Sequence, residues 1–104
     1  MNHDLVEKLA GLASRVNNMA ILHTGETSRQ LLEIQDNLAK LALLAIKMDL
    51  NQEQSSYQEA LKGLNEAINY VGEANKDIEG TAEAIQLVVK AVDSVEKVLK
   101  KVAV

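Results

Sequence analysis

Cys, Pro, Trp and Phe do not occur among the 104 residues of the chain. Without cysteine there is no disulfide framework, no thiolate nucleophile and no thiolate metal ligand. Nothing then asks for an oxidising compartment, and the cytoplasm is the expected location. Without proline no helix is forced to break, since every residue keeps its backbone N–H and its freedom in φ. Two tyrosines are the whole aromatic complement, too few for the stacking platforms that hold single-stranded bases. Positive charge is scarce too: Lys and Arg number 11 against 15 Asp and Glu, for a net charge of -4. Nucleic-acid binding rests on clustered cations at phosphates, so no nucleic-acid partner is expected. No apolar run approaches the roughly 18 residues that cross a bilayer, and no basic n-region followed by an apolar stretch opens the chain. A transmembrane segment is therefore not expected.

Hydrophobic residues make up 47% and charged residues 25%, a globular rather than a disordered balance. The length suits one domain, residues 1–104, with a core of its own. The pattern is organised around Leu31 to Leu50, LLEIQDNLAKLALLAIKMDL. Leu31, Ile34, Leu38, Leu41, Ala45 and Met48 recur at spacings of three and four, one face of a helix turning about 100° per residue. A second set, Leu32, Ala39, Leu43, Ile46 and Leu50, falls on a line roughly 130° away. One apolar face suffices for a core. A helix apolar on two sides is normally buried on both, inside its own domain or against another chain.

The other segments read as single-faced helices. Asp4 with Glu7 forms a capping pair before Leu5, Leu9, Leu12, Val16 and Met19 repeat at helical spacing, so a helix over 4–23 is predicted. HTGETS then supplies Gly25 for a left-handed residue and Thr27 with Gln30 as a capping box, opening a second helix over 28–50. Polar LNQEQSS marks the next turn, with Ser56–Glu59 or Ser55–Gln58 as caps for a third helix over 56–78. Leu64, Val71, Ile78, Ile85, Val92 and Leu99 form a column at intervals of seven, which alone suggests one long helix. Its companions argue for a break. They are Tyr57, Leu61 and Ile68 in the first half but Val88, Val95 and Val102 in the second, a swing of roughly 120° that supercoiling does not absorb. Gly80 and Thr81 provide the stop and the restart, giving a fourth helix over 81–103. The predicted fold is all-α, an antiparallel up-and-down four-helix bundle. The competing arrangement is a helical hairpin followed by one long C-terminal helix in a coiled-coil dimer.

Chemistry-bearing residues form no constellation. His3 and Glu7 are one turn apart, but two ligands near a terminus do not make a metal site. His23, beside Glu26, suits a helix C-terminus, where the dipole favours a cation. No Glu-x-x-His occurs, so the inward ligand set of a di-iron bundle is missing. Acid pairs such as Asp77–Glu79 and Glu66–Glu73 lie outside the apolar stripes and read as solvated faces. Neither a nucleophile elbow nor a phosphate loop is present. No enzymatic activity, metal or cofactor is expected. Asn75 follows Leu61 and Ile68 at a heptad core position but more plainly belongs to the end of the third helix. Tyr57, on the apolar face of the third helix, is expected in the core or at its rim with its hydroxyl at the surface. Lys97, Lys100 and Lys101 beside Val95, Val98 and Val102 complement a helix C-terminus more simply than they make a membrane-surface helix.

The expected function is a non-enzymatic helical interaction or structural module, a homodimer joined through Leu32, Ala39, Leu43, Ile46 and Leu50, or one that takes another helical protein there. The alternatives are a small secreted or membrane-surface-associated helical protein and a ligand-binding bundle. The last requires inward polar residues that the pattern does not supply.

Overall fold

The computed structural model describes residues 3–48, 50–75 and 80–103, with side chains as far as residue 100. Four helices follow one another: α1 (His3–Ile21), α2 (Gly25–Lys47), α3 (Ser55–Ala74) and α4 (Thr81–Ala103). There is no strand among the described residues. The four helices pack as a bundle measuring 38 × 19 × 18 Å, which sets aside the long C-terminal helix. Ile78 and the pair Asp77–Glu79 lie outside the described residues, as do the side chains of Lys101 and Val102.

The turns fall where the punctuation placed them, but the helix ends differ. α1 stops at Ile21 and α2 starts at Gly25, earlier than the expected residue 28. Gly25 has φ 67°, a left-handed conformation that glycine adopts without a Cβ clash, so the chain reverses within very few residues. The Thr27–Gln30 box is consequently inside the helix. Thr24 is the N-cap and makes no side-chain cap, while Ser28 Oγ donates to the Ala20 carbonyl at 3.0 Å and ties the two helix ends together. At α3 neither serine caps; Gln54 holds that position. The preceding turn is closed instead by Asn51 Oδ1, which accepts from the Glu53 N–H at 3.0 Å, and by Gln58 Nε2, which donates to the Gln52 carbonyl at 2.7 Å.

Packing partners define the topology. α1 packs on α2 and on α3, α4 packs on α3, and α2 meets α4 more sparsely. Consecutive helices α2 and α3 therefore sit across the diagonal. Two antiparallel hairpins, α1–α2 and α3–α4, lie side by side, so α1 and α3 run in the same direction. Residue contacts agree: Tyr57 at the start of α3 lies by Leu5 at the start of α1, and Gly72 near the end of α3 lies by Arg15. The link from Lys47 to Ser55 can reach because seven extended residues span about 23 Å, more than the ~13 Å diagonal of helices spaced 8–10 Å apart.

One hydrophobic cluster joins all four helices. α1 contributes Leu5, Leu9, Leu12, Val16 and Met19, the stripe read from the sequence, with Ala20 added. From α3 come Tyr57, Ala60, Leu64, Ala67 and Val71, and from α4 Ala84, Val88, Ala91, Val92, Val95, Val98 and Leu99. α3 and α4 approach closely at Gly63, where an added Cβ would lie 3.8 Å from the Ala91 Cα. Small residues at a crossing let two backbones come together and gain dispersion contacts along both.

Candidate interaction surface

The first face of α2 does what its spacing requires. Leu31, Leu38, Leu41 and Ala45 are buried, and Ile34 and Met48 are partly buried against the core. The second face is left largely open among the described residues. Leu32 is 44% exposed, Leu43 61% and Ile46 63%, with Ala39 exposed between them. These side chains share a face because the 3.6-residue turn brings positions seven, eleven and fourteen residues on from Leu32 into an arc of about 60°.

Leu50 departs from the expected set. α2 ends at Lys47, and Met48 is extended (φ -101°, ψ 148°), so helical geometry no longer aims the residues that follow. Leu50 folds inward and is 5% exposed, part of the core rather than of the outer face. Four further exposed apolar side chains lie outside the expected set: Leu44 on α2, Val89 on α4, and Ile21 and Leu22 where α1 ends. Leu44 carried a signal, since it belongs to neither periodic set yet sits in an almost unbroken apolar run. The exposure of Ile21 and Leu22 depends on where α1 stops, which the pattern placed too late.

The remaining candidates serve the fold. His23 Nε2 lies 3.0 Å from Thr81 Oγ1, joining the α1–α2 turn to the start of α4, a contact between distant positions that no local pattern announces. His3 and Glu7 are 3.8 Å apart and mostly exposed. Among the described residues no three His, Cys, Asp or Glu side chains are grouped to hold a metal ion. Asn75 is the C-cap of α3; its N–H bonds the Val71 carbonyl and its Nδ2 donates to the Arg15 carbonyl at 3.3 Å. Tyr57 is 1% exposed and sits in the core, but its hydroxyl is not at the surface. Its hydroxyl is enclosed beside the Leu5 amide without meeting hydrogen-bond geometry. Burial raises the Tyr57 phenol above 10.0, the Leu5 amide opposes that rise and Asp4 adds to it. The Tyr70 phenol, which donates to the Glu83 carboxylate, is raised chiefly by that bond.

Shallow grooves mark the surface between helices. One, between α3 and α4, carries Glu59, Lys62, Glu66 and Lys90; another, between α1 and α3, carries Glu7, Lys8 and Arg15. Their alternating charges and open shape give no enclosed cavity in which a small molecule would lose most of its hydration. No helix among the described residues is long and apolar enough to cross a membrane. No protein-family model matches the sequence, and neither a curated protein nor a solved structure matches it significantly.

Proposed function

We propose that the chain is a non-enzymatic helical interaction module that self-associates through the outer face of α2. The observation that carries this reading is the row Leu32, Ala39, Leu43 and Ile46, exposed on a helix whose opposite face is already buried. Contiguous apolar surface on a folded domain marks an association site more often than an idle one. Fully burying a leucine or isoleucine is worth roughly 1.5–3 kcal/mol. About half of each side chain remains to be buried, so three from each of two subunits supply about 5–10 kcal/mol, set against an association cost of about 4–15 kcal/mol. The most favourable combination leaves about 6 kcal/mol, a dissociation constant of roughly 40 μM, so a weak dimer that forms only at high concentration is the expectation.

The test is sedimentation equilibrium up to high micromolar concentration, with Leu43→Glu as the control. The wild type should populate a dimer. The variant should sediment as a monomer with unchanged helical circular dichroism, because a charge at the seam opposes association without reaching the core. A wild type that stays monomeric throughout would refute self-association.

A further inference from the structure

Charged residues on α2 are placed unevenly about its outer apolar face. With the face centred on Leu32, Ala39, Leu43 and Ile46, the side chains of Arg29, Glu33, Asp36, Lys40 and Lys47 all project to one side, roughly 50–110° from the centre. The opposite flank, next to α1, carries the uncharged Ser28, Gln35 and Ala42. Arg29 is engaged with Glu26 at 2.6 Å. Glu33, Asp36, Lys40 and Lys47 are exposed, and among the described residues none of the four is in an ion pair. Beyond Arg29, whose charge is met by Glu26, the sign changes once along the flank: acids at 33 and 36, lysines at 40 and 47.

That order selects an orientation. When two helices pair in parallel, the left flank of one meets the right flank of the other. When they pair antiparallel about a two-fold axis, like flanks meet. In a parallel pair the charged flank would therefore face Ser28, Gln35 and Ala42. In an antiparallel pair it faces itself in reverse order, which brings acids to lysines. We infer that the outer face of α2 is the seam of an antiparallel homodimer whose two-fold axis passes at Ala39, with Leu32 opposite the partner's Ile46. The same register sets Glu33 near the partner's Lys47 and Asp36 near the partner's Lys40, each two residues, about 3 Å along the helix, from the centred alignment and so within reach of these long side chains. Ala39 meets its own copy, and its small side chain lets the helices approach to the 8–10 Å typical of packed pairs. Solvent-exposed ion pairs of this kind contribute little energy but set orientation and register. The inference rests on the self-association proposed above and adds to it the direction and register of the pairing.

Because the chain has no cysteine, single-cysteine variants report the register directly. Under mild oxidation Ala39→Cys should form a covalent dimer, since a disulfide needs Cβ atoms about 3.5–4.5 Å apart. Leu32→Cys alone and Ile46→Cys alone should not, because in this register each lies about 21 Å from its own copy. A mixture of the two should cross-link into a heterodimer. Self-cross-linking of Leu32→Cys would overturn the antiparallel register in favour of a parallel one, even with the wild type dimeric. Charge reversal gives an independent reading. Glu33→Lys with Asp36→Lys, and separately Lys40→Glu with Lys47→Glu, should each weaken the homodimer at least tenfold at low salt, and mixing the two should restore wild-type association. Unaltered homodimerisation of either double variant would overturn the charge pairing. A monomeric wild type removes self-association itself, and the inference with it, leaving the face to a partner of another kind.

Discussion

α2 and α4 are both 23 residues long, and they use their apolar residues in opposite ways. α4 gathers valine and alanine on one broad face and buries it: Ala84, Val88, Ala91, Val92, Val95, Val98 and Leu99 are all in the core, and among its described side chains Val89 is the large apolar one left exposed. α2 divides its leucines between two faces and buries four residues of one, leaving Leu32, Leu43, Leu44 and Ile46 exposed. α4 is also held at its N-terminal end by the Thr81–His23 and Glu83–Tyr70 contacts. Of the two helices, α4 is committed within the chain and α2 retains a surface to offer.

The sharpest test of that contrast is a pair of identical truncations on α2. Leu38→Ala removes a side chain with no exposure and should cost about 2–5 kcal/mol of unfolding free energy, because the cavity adds to the lost burial. Leu43→Ala should leave the stability of the isolated subunit within about 0.5 kcal/mol while weakening the dimer. Chemical denaturation at low protein concentration separates the two. Equal losses at both positions would mean that the outer face is covered within the chain after all.

A smaller effect is expected on α4. Ala91→Leu places a large side chain where Gly63 approaches, and overpacking there should cost about 1–3 kcal/mol in the same denaturation experiment. Ala39→Leu on α2, by contrast, should not disturb the fold, since Ala39 is exposed. It should impair association, which depends on the close approach that alanine permits.

The smallest effect concerns the tyrosines. Both phenols are raised in the folded state, so folding favours their protonated forms. That contribution is complete below the ordinary value near 10 and is lost as the pH climbs through the higher folded values. Ultraviolet titration, uncomplicated by tryptophan, should show both groups ionising later than free tyrosine. Tyr70→Phe should remove one of these late titrations and the hydrogen bond to Glu83, making the alkaline loss of stability shallower. A Tyr70 that titrates normally would show that this anchor of α4 does not persist in solution.

Much of this was legible locally. The stripes on α1 and α2, the break ahead of Thr81 and the double face of the central helix all follow from the 3.6-residue period and from the side chain carried at each position. Helix ends were less legible. At α2 and α3 the capping side chains named from the sequence are not those used: Gly25 is left-handed as expected but α2 starts there, and Asn51, Gln52 and Gln58 close the second turn with side-chain bonds. Leu50 shows the consequence: once α2 ends at Lys47, periodicity carries no information about where that residue points.

Periodicity and composition by themselves determined that the chain is helical, how many helices it forms, which side chains each buries, and that one helix has apolar surface to spare. Those are properties of single segments, set by helix pitch and the free energy of removing apolar area from water. Tertiary structure alone decided that α2 and α3 lie across the diagonal, that His23 meets Thr81 and Tyr70 meets Glu83, and that Tyr57 is enclosed. Each depends on how helices that are individually complete settle against one another, and many pairings would satisfy the same stripes. Only the simultaneous fit of all four, with the close contact of Gly63 on Ala91 and a link long enough to cross the bundle, selects one.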